Sequence, residues 1–547
     1  MDEQEFAKVL KQYREKSDRH ILVLETDMSY SDALCVVKDA DKLRKAKNEL
    51  VAIMNKNYKQ LKRTKRYRKL LKLYGKFKDA LKNNKANKDL KESLKNIGNQ
   101  LNEMQLQYHV TWDYCRTSMI PIGKKYKLNS VIALTGAEDV WKGVESILYS
   151  DGEELHFSKY DNLPTLRAKQ INKSIILKIT NNKVSFSYNS IKFGIKIKDR
   201  FQTEEILAML SYLNEPSKYN NLAVEKLIEE AYCIDTYRPC YATLVTKFIR
   251  GKYRIFIHIT LEGKAKPKYN KDGTFRHTYG KGRIGIDIGT QTIAYTSDTK
   301  VGLKNLSERG SSISTNERKE RLIYRAMDRS RRATNPDNYN KDGTIKKGKK
   351  TWVYSNRYKR LRAKHRDLCR KNAINRQLAI NEDVNHLREL GDFIVTEPKN
   401  ASKLMKRAKK TETNEKGKYK RKKRFGKSIK NRCPGAFQAK LQKKFESTDG
   451  IYIEVPTTYR ASQYDHTADE YIKKKLSDRI YNLKDGTKVQ RDWYSSFLLY
   501  CYDYITQDID KDKCKQLFNE QYEKELLLIE SIKENKFRIL NSGIKVA

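Results

Sequence analysis

The sequence predicts a multidomain α+β protein: a basic helical lobe, a small antiparallel β-domain closed as a barrel, and an α/β domain in the C-terminal half. Three observations predict it. Residues 31–115 hold no proline and little glycine, and they read as helix almost throughout. Residues 173–199 and 240–263 alternate apolar and polar side chains between turn signals, which is strand periodicity. From residue 281 onward, short apolar strands end on single acids. The 547-residue length suits roughly three or four domains, and 38% hydrophobic residues with 10% aromatics suffice for ordinary cores.

In chain order, residues 1–30 are mixed, with "HILVLETDMSY" readable as a strand that belongs to the β-domain. Residues 31–151 form the helical lobe. Its segment 56–95 carries sixteen Lys or Arg against three acids, and Leu61, Tyr67, Leu70, Leu71 and Tyr74 fall near helical spacing as an apolar stripe. A solvated helical hairpin is the plain alternative. The sign bias favours a lobe that grips nucleic-acid backbone, with Lys62, Arg63, Lys65, Arg66, Arg68 and Lys69 as contacts.

Residues 152–280 form the β-domain. "KSIILKITNNKVSFSYNSIKFGIKIKD" (173–199) reads as three strands with an Asn-rich turn. A helical insert follows at 204–214 and 223–233, and strands return over 240–263 with Arg250-Gly251 as the turn. Residues 281–547 form the third part. It contains a long basic helical insert at about 308–390, broken by a loop at 333–352 rich in turn-forming pairs.

Charge bounds the partners. Lys and Arg number 115 against 67 acids, a formal balance of +48. Self-repulsion on that scale is relieved by a polyanion, and phosphate backbone is the usual one. A membrane surface is the competing anion, but there is no apolar run near 18 residues and no amphipathic terminal anchor. The start, "MDEQEFAKVLKQYREK", matches neither a signal nor a transit peptide, so a cytoplasmic location is expected. Eight scattered cysteines include no CxxC and are expected to be reduced and structural.

The chemistry lies in three acids. In "KGRIGIDIGTQTIAYTSD" (281–298), Ile284, Ile286 and Ile288 alternate with Gly285 and Asp287, and Gly289 opens a hairpin. Asp287 would stand at the rim of a sheet core, where charge is rarely placed without use. In "DFIVTEPKN", Glu397 sits just past another short strand, before Pro398. Residues 403–431 then carry fourteen Lys or Arg against two acids, and Lys403, Lys406, Arg407, Lys420, Arg421, Lys422, Lys423 and Arg424 are candidate nucleic-acid contacts. A further strand lies in "GIYIEVPTTYRASQYD" (450–465), and "QRDWYSSFLLYCYDYI" places Asp492 in the first turn of a helix, with Trp493, Phe497, Leu498 and Tyr500 as its packing face. An ordinary helix-cap role for Asp492 is the competing reading. If the three converge, they suit two Mg²⁺ ions about 3.5–4 Å apart for phosphodiester hydrolysis, since hard oxygen ligands are what Mg²⁺ requires.

"GIDIG", "IVTEPKN" and "QRDWYSS", in that order, resemble the three motifs of a RuvC-type nuclease domain. "RASQYD" and "LSDRIYNLKDG" are similar to the stretches before the last motif in TnpB, the transposon-encoded RNA-guided nuclease akin to compact type V CRISPR effectors. The resemblance is clear over roughly 281–505 and only architectural over 1–280. It implies a ribonuclease-H-like nuclease domain, a recognition lobe and a wedge-like β-domain. It also implies catalytic and metal-binding roles for Asp287, Glu397 and Asp492, with Arg479 near the cleaved strand. Two Mg²⁺ (or Mn²⁺), a guide RNA from a transposon end or a CRISPR array, and a double-stranded DNA target are the implied cofactors and partners.

The chain departs from the family at one place. Where two CxxC pairs are usual, within an insert at about 460–490, the positions fall on Asp465, Ala468 and near Asn482 and Asp485, so no thiolate zinc site is expected. That insert is expected to hold by packing alone, with His466 and Asp469 on its solvated surface. Tyr494, Ser495 and Ser496 stand where the family has Asn-Ala-Ala. Two other functions stay open: a nuclease-dead RNA-guided regulator, and a general RNA-binding protein with a vestigial ribonuclease-H fold.

Overall fold

The computed structural model describes residues 19–546, apart from 84–86, 151, 153, 161, 171, 181–182, 215–236, 264–269, 271, 273, 309–311, 406–425, 457, 461–462 and 474–477. The segments expected as helix at 223–233 and as basic contacts from Lys406 to Arg424 therefore lie outside the described residues. Two compact units form, Met1–Lys266 and Pro267–Ala547.

In the first unit, Ser29 Oγ accepts the Asp32 N–H at 3.1 Å and starts helix α1 (Tyr30–Arg63). Thr64 adopts an extended backbone and ends it, and α2 (Lys65–Asn83) begins at once. Helices α3 (Lys88–Gln107), α4 (Trp112–Lys125) and α5 (Ser130–Tyr149) follow, each opened by a side-chain cap from Asn87, Thr111 and Asn129. Leu61, Tyr67 and Leu70 are buried, whereas Leu71 is 38% exposed, so the apolar stripe is narrower than its spacing suggests.

Among the described residues the β-domain does not close as a barrel. Strands β1 (Arg19–Thr26), β2 (Leu166–Arg167), β6 (Ile195–Lys196), β7 (Arg238–Ile249) and β8 (Lys252–Glu262) form an open antiparallel sheet in the order β2-β7-β8-β1-β6. Its edge strands are two residues long and pair only inward, too short to meet and close the sheet. Strands β3 (Ile175–Thr180), β4 (Lys183–Tyr188) and β5 (Ile191–Phe193) form a separate three-stranded sheet. The β7–β8 turn is at Arg250 and Gly251, with φ of 49° and 83°, the two left-handed positions that a type I′ hairpin requires. Ile255, Ile257, Ile259 and Leu261 face inward along β8 and share one apolar core with Val36, Leu43 and Leu50 of α1. Helical lobe and sheet are thus one folding mass. Helix α6 (Arg200–Asn214) completes the unit's described elements.

The second unit is built on a five-stranded sheet ordered β11-β10-β9-β12-β13, from β9 (Arg283–Ile288), β10 (Thr292–Ser297), β11 (Val301–Asn305), β12 (Phe393–Thr396) and β13 (Ile451–Glu454). The first three form an antiparallel meander, and β12 runs parallel to both β9 and β13. The crossover from β11 to β12 contains α7 (Ser312–Thr334) and α8 (Asn356–Leu390). Near its end the buried Arg388 donates to the carbonyls of Gly280, Gly391 and Thr448 at 2.8–3.1 Å, tying together the chain segments that lead into β9, β12 and β13. Helices α9 (Ala401–Met405), α10 (Gly426–Arg432) and α11 (Pro434–Glu446) lie between β12 and β13.

The insert at 460–490 folds as two small hairpins, β14 (Tyr464–Asp465) with β15 (Glu470–Tyr471), and β16 (Ile480–Asn482) with β17 (Lys488–Gln490). Packing alone does not hold it. Asp465, fully buried, accepts the Thr467 N–H at 3.1 Å and hydroxyl at 2.7 Å through Oδ1, and the Lys484 N–H at 3.1 Å through Oδ2. One carboxylate thus joins the turns of both hairpins. His466 is not on the surface either: it is 5% exposed, with its ring 4.1 Å from that of Phe518 and Nδ1 2.9 Å from the Tyr494 hydroxyl. Asp469 is half exposed and pairs with Lys511 at 2.7 Å. Helix α12 (Arg491–Tyr500) is buried from Asp492 to Tyr500 on every side, so it has no single packing face. Strands β18 (Tyr502–Asp503) and β19 (Asp508–Ile509) and helix α13 (Lys511–Glu534) follow.

Candidate active site

Asp287 lies one residue before the end of β9, and Glu397 one residue past the end of β12. These strands are parallel neighbours with Val395 opposite Gly285 and Thr396 opposite Ile286, so the next step brings Glu397 level with Asp287. Both acids therefore stand at the carboxyl ends of adjacent parallel strands, where α/β sheets present ligand sites.

Asp492 is brought to them by a glycine. A Cβ on Gly285 would lie 2.2 Å from the Ser496 carbonyl oxygen and 2.2 Å from the Tyr500 nitrogen. Only glycine lets the backbone of α12 rest directly on β9. Ser496 fits the same contact, its hydroxyl 2.9 Å from the buried Thr296 Oγ1 of β10. The cap of α12 is Gln490, whose Oε1 accepts the Trp493 N–H at 2.7 Å, so Asp492 is not spent on capping. Beneath this junction the buried Glu525 accepts the Gln490 N–H at 2.8 Å.

The electrostatics agree with a shared site. Burial, then the charge of Asp287, pushes the Glu397 carboxyl up to about 6, against the pull of Lys399. Burial and Asp287 also raise Asp492, opposed by Arg491 and then Arg479. Arg491 donates through two nitrogens to Asp492 Oδ1 at 2.9 and 2.8 Å. Clustered carboxylates that raise one another are the mark of a place prepared for cations.

A cation from the chain already stands there. Lys399 Nζ donates to Asp287 Oδ1 at 2.7 Å and to the carbonyl of Ile288. Burial disfavours its charge, but Asp287, Glu397 and Asp492 outweigh that and hold the ammonium above its ordinary value. Lys399 and Arg491 are the residues that sequence reasoning missed. Lys399 sits inside the motif two positions after Glu397, and Lys so close to a candidate metal ligand was the available signal. Among the described residues the three acids do not form a set with all donor atoms within 4.8 Å of one another.

The other candidates are spread. Lys62, Arg63, Lys65, Arg66, Arg68 and Lys69 all project into solvent around the α1–α2 break, in the first unit. Lys403 falls in α9, and its side chain is outside the described residues. Among the described residues, no helix is long and apolar enough to cross a membrane.

No protein-family model matches the chain, and no curated protein matches it in sequence. Among solved structures it is similar to the Cas12f1–sgRNA–target DNA complex determined by cryo-EM, at 10% identity and a TM-score of 0.39, over 88% of this chain and 98% of that one. A score this low does not establish element-by-element correspondence, so the chemistry rests on this chain's own residues.

Proposed function

We propose that the protein is an RNA-guided DNA endonuclease with a single RuvC-type site of TnpB kind. The observation that carries the reading is the approach of Asp287, Glu397 and Asp492 at the ends of β9 and β12 and the start of α12, with the Glu397 and Asp492 carboxyls raised, Lys399 paired to Asp287 and Arg491 to Asp492. All three are hard oxygen donors, with neither His nor Cys among them, and Lys399 and Arg491 pair with Asp287 and Asp492 but leave Glu397 without an ion pair among the described residues; that donor set fits Mg²⁺ or Mn²⁺. Bound there, two such ions would supply electrophilic stabilisation of the scissile phosphate and an activated water.

The chain's own residues do the rest. Glu397 must give up its proton before it can ligate, and Lys399 must release Asp287. Arg491 keeps Asp492 turned into the site. Arg479 stands beside Asp492 as a cation for the substrate strand. The +48 balance supplies contacts to RNA and DNA backbone, while guide pairing reads the sequence.

One observation favours a second reading. With Lys399 seated on Asp287 the site has a resident cation, as a nuclease-dead guided binder could keep. Purifying the protein with its bound RNA, sequencing that RNA and programming it against a matched duplex separates the readings. The endonuclease reading expects one dominant RNA with binding and cutting. Binding without cutting supports the regulator, and a broad smear of cellular RNA overturns both.

A further inference from the structure

The crossover hairpin contains a second cluster of metal-ligating side chains, remote in kind from the three acids. Helices α7 and α8 run antiparallel, joined near one end by Asn316 Nδ2 donating to Asn372 Oδ1 at 2.7 Å and near the other by the Ser330 and Ser355 hydroxyls at 2.8 Å. Between these ties, His365 and Cys369 stand one turn apart on α8 and face Glu320 of α7. His365 Nε2 is 3.2 Å from Glu320 Oε1, Cys369 Sγ is 3.5 Å from the same Nε2, and Sγ is 4.0 Å from the same Oε1.

We propose that Glu320, His365 and Cys369 form a transition-metal site of the Zn²⁺ class that staples the two helices of the crossover. The donor set is one nitrogen, one sulfur and one oxygen, which suits a borderline-soft cation such as Zn²⁺ or Co²⁺ and not Mg²⁺. The geometry suits it too. With Zn–S about 2.3 Å and Zn–N and Zn–O about 2.1 Å, tetrahedral angles give N···O edges of about 3.4 Å and S···N and S···O edges of about 3.6 Å. The observed triangle differs from that by a few tenths of an ångström on each edge, but Sγ is also 3.9 Å from Nδ1, so the thiol lies over the imidazole and the ring must turn to aim Nε2 at a shared ion.

A divalent ion with one thiolate and one carboxylate is neutral, so it can sit at the half-buried helix interface without an unpaired charge. A thiolate is the ligand, so binding displaces the thiol proton to solvent and affinity rises with pH. The outward side of Cys369 is exposed, giving the ion a way in. The fourth position is left to water, and a polar cavity lined by Asn316, Glu317, Asn372 and Arg376 meets the site only at Glu320. The ring of Tyr324, 4.5 Å from that of His365, orients the imidazole from one turn along α7. The hairpin leads into β12 and so to Glu397, which gives the staple a structural purpose independent of what the three acids do.

The test is Co²⁺ titration of the full-length, chelator-treated protein under reducing conditions, followed by Zn²⁺ competition. The expected result is a thiolate-to-Co²⁺ charge-transfer band that saturates at one equivalent and is displaced by Zn²⁺. Cys369→Ser should abolish the band, and Glu320→Gln should weaken binding at least ~10-fold. Asp287→Ala should leave the band intact, which keeps the result separate from the nuclease reading. Absence of the band in the wild-type protein, or its survival in Cys369→Ser, overturns the proposal. A band with a folded, RNA-binding His365→Ala protein retaining wild-type Co²⁺ affinity overturns the ligand set.

Discussion

Lys399 is the residue on which the candidate site turns. Its ammonium competes with any divalent ion for Asp287. Lys399→Met should therefore tighten Mg²⁺ binding by about tenfold, the equivalent of roughly 1.4 kcal/mol, and lower the Mg²⁺ concentration needed for cutting. Weaker Mg²⁺ binding in that variant would mean the lysine supports the metal instead of displacing it. Glu397 gives a pH prediction. Its folded value is raised to about 6, so it keeps its proton further up the pH scale than an ordinary glutamate. Metal requires the carboxylate, so Mg²⁺ affinity should fall about tenfold per pH unit below about 6 and level off above it. A profile flat from pH 5 to 8, measured by calorimetry, would contradict that. The acids themselves were legible in the sequence, because period-two strands followed by Gly289 or Pro398 leave Asp287 and Glu397 conspicuous. Their mutual approach was not, because it depends on a register set across a crossover of nearly ninety residues.

At the scale of elements, α12 on β9 decides where Asp492 stands. Gly285→Ala would push a methyl into the backbone at Ser496 and Tyr500, and neither atom can step aside as a side chain could. The expected cost is about 3 kcal/mol or more, with loss of cutting beyond what the lowered stability explains. Unchanged melting in that variant would show that the contact is slack. The same junction rests on Glu525, whose burial pushes its carboxyl up to about 8 while the Gln490 N–H pulls the other way. Its folded value is above its unfolded one, so its contribution is full below the ordinary glutamate range and is lost as pH rises toward 8. Stability should decline across that window by at most ~5 kcal/mol, and Glu525→Gln should remove that part of the slope. Identical slopes in thermal melts of both proteins would refute it. In the neighbouring insert, sequence reasoning saw the missing cysteines but not their replacement. Asp465 marks only a missing cysteine in the sequence, because the second hairpin it binds is brought to it by the fold. The barrel failed for a related reason: periodicity marks strands, but closure depends on edge lengths that periodicity does not carry.

For the whole molecule, the +48 balance is a statement about partners. Nucleic-acid affinity should fall by about a thousandfold between 50 and 200 mM salt if six or more phosphates are engaged. The helical lobe and the three acids belong to separate compact units, so the basic composition of the lobe carries no information about the acids. The most direct measurement is cleavage of a plasmid matched to the co-purified RNA, with and without Mg²⁺, by the wild-type protein and by Asp287→Ala, with binding followed in parallel. The expected result is Mg²⁺-dependent cutting by the wild type, at least ~1,000-fold less by Asp287→Ala, and equal binding by both. Cutting that persists in Asp287→Ala, or a wild type that binds and never cuts, would contradict it.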